Sequence, residues 1–207
     1  MSVMTSAAVQ AVRMRPAMPP GAVYRLDVEQ YHAMIRAGVL TADDQVELLE
    51  GWLFPKMAKN PPHRIATHRT QRALDTLVPA GWYVDAQEPI TLAASEPEPD
   101  VCIVRGVTED YPDRNPGPPD VALVVEIADS TLERDRGLKK QMYARAGIPV
   151  YWIINLAERQ LEEYTVPTAS DSAPDYQQRR DYNLSESITV RIEDRDIGVL
   201  AVRELFP

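Results

Sequence analysis

The sequence predicts an α/β or α+β single domain, a mixed β-sheet flanked by helices. Three observations carry that expectation. Val121 to Val125 run apolar without a break, the pattern of a strand buried on both faces. A helical stretch from about Arg134 to Ala146, closed by Gly147, follows and leads into a second buried run, Val150 to Ile154, so strand, crossover helix and strand come in succession. The rest of the chain reads as helix, hairpin, helix and strands before this unit and a hairpin after it, with no internal repeat and no shift in composition that would mark a second domain.

Met1 to about Gly21 is rich in Ala, Met and Pro without periodicity and is expected to be a disordered arm, which leaves 22–207 as the folded domain. Asp27 is a good N-cap with Gln30 three residues on, so a helix with the apolar stripe Tyr31, Met34 and Ile35 is expected to start there and to end at Gly38. Val46 to Leu49, the turn pair Glu50-Gly51 and Trp52 to Phe54 predict a hairpin. After Pro61-Pro62 a second helix is expected over His63 to Val78, with Ile65, Leu74, Leu77 and Val78 inward. Trp82 to Val84, Glu88 to Leu92 and Asp100 to Val104 read as strands, the last of them buried. Four prolines and two glycines between Gly106 and Pro119 predict a loop. Gln160 to Val166 reads as an edge strand, Pro167 to Pro174 as a mobile polar insertion, and Tyr176 to Tyr182 and Ile188 to Ile192 as further strands. Gly198 to Leu200 and Val202 to Phe206 are expected to pack back on the core.

A chain of 207 residues is long enough for one sizeable core, and its 44% hydrophobic content is ordinary for a globular protein. No apolar run approaches the roughly 20 residues of a membrane span, and the N-terminus has no apolar core of a signal peptide. The lone Cys102 cannot form an internal disulfide, which fits a reducing cytoplasm, and it reads as a small core residue. The net charge of −9, from 22 basic and 31 acidic residues, argues against gripping nucleic acid by the overall field, though not against a local basic groove. The one dense basic cluster, Arg134, Arg136, Lys139, Lys140 and Arg145, sits on the crossover helix.

Three acids stand where chemistry is expected. Glu47 lies in the first hairpin, Asp100 opens a buried strand after a proline, and Glu126 closes the buried run at Val121. A carboxylate at the end of a buried strand is costly unless it is paired or holds a metal. One or two carboxylates plus a substrate phosphate is the usual magnesium arrangement. Asp135, Lys139 and Tyr143 share one helix face at i, i+4 and i+8, so Lys139 can reach back over the strand ends. Lys140 is the alternative lysine, about 100° away on a regular helix. No Cys–His zinc set, phosphate-binding glycine loop or Gly-x-Ser-x-Gly elbow is present.

Glu98-Pro99-Asp100, Val124-Val125-Glu126-Ile127, Asp135-Arg136-Gly137-Leu138-Lys139, Tyr143 to Ile148 and Tyr151-Trp152-Ile153-Ile154 together resemble the Uma-two family of restriction endonucleases, within the PD-(D/E)XK nuclease superfamily. Val46 to Gly51 and His63 after Pro61-Pro62 extend the resemblance over nearly the whole chain from Tyr24. It implies a restriction-endonuclease-like fold and a Mg²⁺-dependent endonuclease acting on DNA, with RNA open to the same chemistry and Mn²⁺ as a substitute ion. It implies Asp100, Glu126 and Glu47 as metal ligands and catalytic acids with Lys139 as the catalytic lysine. Here the motif lysine is displaced, because Ala128 stands two residues after Glu126. His63, Arg136, Lys140 and Tyr143 are the candidate substrate contacts, and a homodimer is expected. The competing class is a nuclease-fold protein without activity that serves as a binding or assembly module, which the acidic balance favours.

Each site residue also has a plain structural reading. Asp100 could be a strand-edge acid, Glu126 a partner for a core arginine, and Glu47 an exposed alternating strand position. Lys139 could be a solvated residue paired with Asp135, His63 a helix-surface residue, and Tyr143 packing. These readings differ from the functional one in burial and in convergence, which the coordinates decide.

Overall fold

The computed structural model describes residues 23–170 and 173–207, so the expected arm over 1–21 and part of the expected insertion over 167–174 lie outside the described residues. Helix α1 (Val28–Arg36) starts on a capping box: Asp27 accepts from the Gln30 N–H at 2.7 Å, and the Gln30 side chain accepts from the Asp27 N–H at 3.1 Å. Strands β1 (Val46–Leu49) and β2 (Trp52–Pro55) form the hairpin. Its turn puts two successive residues in the left-handed region, Glu50 at φ 50° and Gly51 at φ 80°, and a Cβ at Gly51 would lie 2.6 Å from the Arg25 Cβ. Helix α2 (Pro61–Asp75) is capped by Asn60, which accepts from the His63 N–H at 3.0 Å, and its two prolines sit in the first turn, where no N–H is missed.

The central sheet has six strands in the order β3 (Trp82–Asp85), β4 (Val101–Arg105), β5 (Val121–Ala128), β6 (Val150–Asn155), β7 (Gln160–Thr168) and β8 (Asp175–Asn183). Only β5 and β6 run parallel, and the connection between them is the helical crossover. That crossover holds α3 (Leu132–Arg134), a π-helical turn over Asp135–Lys139 and α4 (Lys140–Arg145). A separate hairpin of β9 (Ser187–Ile192) and β10 (Arg195–Ala201) follows.

Two apolar layers sandwich the sheet. Leu123, Val125, Ile127, Trp152 and Ile154 face Ala66 and Leu74 of α2, the β9–β10 hairpin and the chain end at Leu205 and Phe206. Val124, Ala128, Tyr151 and Ile153 face Met142, Tyr143 and Ala144 of α4. Cys102 is buried in that second layer, as its sequence context predicts. The period of two along β5 therefore puts Glu126, between Val124 and Ala128, on the α4 face.

Four expectations need correcting. Glu88 to Leu92 forms no strand: Ile90 N–H donates to Pro97, Thr91 N–H to Pro116 and Leu92 N–H to Ser95, so no single neighbour runs alongside it, and Pro89 has no N–H to give. The strand from Gln160 is interior, paired on both sides, because its polar residues are satisfied inside the protein. Helix α2 begins at Pro61 and ends at Asp75, and Ile65 is 40% exposed instead of inward. Strand β5 runs two residues beyond Glu126, so the acid is held within the ladder and not at its end. No helix among the described residues is long and apolar enough to cross a membrane.

Candidate active site

Sheet register makes the first contact. Val101 of β4 is paired antiparallel with Val125 of β5, so one step further Asp100 comes level with Glu126. The Asp100 Oδ2 accepts the Ile127 N–H at 2.9 Å, which fixes the carboxylate against the strand. The first hairpin delivers the third acid: Leu48 bridges Glu96, Glu96 N–H donates to the Leu48 carbonyl at 2.7 Å, and the Glu98 N–H lies 3.4 Å from Glu47 Oε2. Glu47 is thereby buried, at 3% exposure, which rules out the exposed-alternation reading.

The crossover supplies the buried cation. Lys139, 3% exposed, donates to Glu126 Oε1 at 2.8 Å, and its Nζ lies 3.5 Å from Glu47 Oε2. A buried ammonium held between two carboxylates is not a solvated helix residue paired only with Asp135. Tyr143, one turn on, donates its hydroxyl to the same Glu126 oxygen at 2.7 Å. From α2, His63 Nε2 lies 3.1 Å from Asp100 Oδ2.

Glu47, Asp100, Glu126, Lys139 and His63 thus line one pocket, joined by Asp135, Glu98, Lys56 and Arg134. Its free space is about 60 Å³, room for roughly four waters. A phosphodiester has to approach from the mouth. Tyr143 is fully buried behind Glu126 and does not line the pocket. Arg136 and Lys140 are not brought there either: Arg136 binds Glu162 and Glu158, and Lys140 binds Asp175 at 2.8 Å. With Arg145 on Glu50, most of the basic cluster on this helix is already paired with acids.

Sequence reasoning did not assign Glu98, Lys56 and Arg134 to the pocket. Glu98 had a signal, since it stands two residues before Asp100 in an extended stretch and so points the same way. Lys56 had none, because it reaches the pocket through the hairpin's placement and its ion pair with Glu98. Arg134 was visible only as one cation of five.

Electrostatics set this pocket apart. Burial pushes the Glu126 carboxyl up to about 8; Lys139 pulls it back, and Asp135, Asp100 and Glu47 push it further. Asp135 is likewise raised, first by burial, with Lys139 and the Thr131 hydroxyl opposing. Burial works against the Lys139 ammonium, but Glu126, Glu47 and Asp135 outweigh it and carry its pKa above the ordinary lysine value. Lys139 therefore stays charged, and the four carboxyl groups around it, Glu47, Asp100, Glu126 and Asp135, outnumber the one ammonium.

That excess suits a hard cation. The donors are all oxygens, and Asp100 and Glu126 are side by side. Among the described residues no group of three or more His, Cys, Asp or Glu forms a ready metal cage. Two carboxylates completed by waters can hold a hard divalent ion.

The pattern of the Uma2 family, described as "Putative restriction endonuclease", matches residues 28–196. No curated protein matches the chain. A crystal structure from Anabaena variabilis, described as "a putative nuclease belonging to DUF820", shares the fold at a TM-score of 0.60 over 87% of this chain and 97% of its own, with 11% sequence identity. With the matched stretch covering most of its length, including Glu47, Asp100, Glu126 and Lys139, the chain belongs to the Uma2 family, described as "Putative restriction endonuclease".

Proposed function

We propose that the protein is a magnesium-dependent endonuclease that hydrolyses phosphodiester bonds in DNA, with manganese as a substitute ion. The observation that carries this reading is the convergence of Glu47, Asp100, Glu126 and Lys139 on one pocket whose acids outnumber its buried lysine. Asp100 and Glu126 would hold the ion, and it supplies Lewis-acid chemistry at the phosphodiester when bound. Lys139 keeps donor capacity beyond Glu126 and orients the attacking water. Glu47 holds Lys139 from the other side, and Tyr143 fixes the Glu126 carboxylate. His63, held beside Asp100, receives the proton released as the water oxygen bonds to phosphorus and the ester oxygen leaves.

Among the described residues there is one such pocket, so two copies would let both strands of a duplex be cut in one encounter, and a homodimer is part of the proposal. Buried Cys102 suits a reducing cytoplasm. A second reading, an inactive binding or assembly module, is favoured by the net charge of −9 and by the paired cations of the crossover helix.

Calorimetry with Mg²⁺ or Mn²⁺ on wild type and Asp100→Ala decides the ion: heat in the first and none in the second is expected, and equal heats in both would remove the metal site. Nicking of a supercoiled plasmid, beside a structured RNA, decides activity and substrate. Stoichiometric ion binding without cleavage of either leaves the binding-module reading standing.

A further inference from the structure

We infer that Arg134 is the phosphate clamp of this pocket, its guanidinium taking two non-bridging oxygens of the phosphodiester presented to Glu126 and Lys139; the assignment rests on the endonuclease reading above. The argument starts from unused donors. Arg134 lines the pocket, yet its Nη1 only reaches the Pro55 carbonyl at 3.5 Å, and its Nη2 lies 3.9 Å from Glu47 Oε1, beyond a hydrogen bond. Its Nε is buried with no partner at all. A buried donor left empty is costly, and a native protein keeps one where something else fills it. Among the described residues the one other buried side-chain polar atom in this condition is the Thr70 hydroxyl, inside α2 and away from the pocket.

The neighbouring cations do not share this vacancy. Lys139 already donates to Glu126 with Glu47 on its other side, and Lys56 pairs with Glu98. Two residues along the same helix, Arg136 spends its Nε on both oxygens of Glu162, at 3.1 and 3.0 Å. Lys59 lines the mouth but is exposed, so it can attract a polyanion without fixing one. Arg134 alone combines a place on the wall, a side chain 20% exposed and an unfilled planar fork. That fork matches two oxygens of a phosphate, which an ammonium meets only as a point charge. Its position beside Glu47 sets it next to the acids without consuming them.

The test measures binding of a short DNA duplex by fluorescence anisotropy across a salt series, with Mg²⁺ present, in an Asp100→Asn background that does not cleave. Arg134→Ala is expected to weaken binding about ten-fold or more and to reduce the salt slope by about one. Arg134→Lys is expected to restore the slope but not the affinity, and, because it keeps stem and charge, it decides the matter alone should the alanine variant not fold. Unchanged affinity and slope in Arg134→Ala, or full affinity in Arg134→Lys, overturns the assignment while the endonuclease reading stands. A parent protein that binds neither DNA nor RNA overturns both.

Discussion

Glu126 and Glu162 lie in one row across the sheet: β5 pairs Glu126 with Ile153, and β7 pairs Glu162 with the same Ile153. Both are buried, at 4% and 0% exposure, and both meet a cation from the same π-helical turn. Yet they titrate in opposite directions. Burial alone would raise Glu162, but hydrogen bonds from Arg136, Tyr164 and Asn155, with the charge of Arg179, hold it down at about 2. Glu126 has one lysine and one tyrosine against three neighbouring carboxylates and is pushed up to about 8. The first site is closed, with its acceptor capacity filled. The second has more carboxyl groups than cations beside a cavity, and Glu126 answers by holding its proton. A buried acid alone does not mark a site; an acid whose partners fall short of its charge does.

The comparison can be broken in several ways. The largest effect is expected from Lys139→Ala, which should slow plasmid cleavage by ~10²–10³-fold, whereas Arg136→Ala should leave cleavage per folded molecule intact; cleavage untouched by the first change would move the lysine role elsewhere. Next, Arg136→Ala should cost about 3 kcal/mol in urea unfolding at pH 7, because it strips the main partner from a fully buried carboxylate. A loss below the level of a surface pair would sink the closed-site description.

The pH dependence of the metal-free protein should separate the two acids. The native state holds a proton on Glu126 that the unfolded chain releases above about 4.5, so the contribution of this group is complete below that pH and is lost as pH rises toward about 8. The slope should reach at most ~1.4 kcal/mol per pH unit and should flatten in Glu126→Gln. Glu162 runs the other way: its contribution is complete above about 4.5 and is lost as pH falls toward about 2, and Glu162→Gln should remove that acid limb. An identical pH profile in Glu126→Gln and wild type contradicts the first half. Smallest of all, Arg191→Ala breaks a surface pair with Asp196, both partners more than half exposed, and should leave stability in urea unfolding nearly unchanged.

Much of the fold was legible in the sequence because it is local. The apolar run of β5 and the capping box of α1 are local signals, and Asp135, Lys139 and Tyr143 are buried together as expected, although a π-helical turn over Asp135–Lys139 breaks the one regular helix expected over Arg134 to Ala146. What was not legible depends on distant partners. Gln160 to Val166 looked like an edge because Glu162 and Glu163 interrupt its apolar pattern, but Arg136 binds the first, and Tyr182 and the Trp152 indole N–H bind the second. Glu88 to Leu92 looked like a strand because alternation says nothing about who accepts each N–H. Arg136 and Lys140 read as substrate contacts on sequence grounds, since the acids that take them up come from β7, the turn before it and β8.

One arrangement in the pocket has a further consequence for how the protein matures. Because Lys139 already sits against Glu126 and Glu47 as a tethered counter-ion, the chain can complete its folding without the proposed magnesium ion. A chelator should then silence the chemistry while the circular dichroism spectrum stays that of the folded chain, unlike a zinc finger, which loses its structure along with its metal.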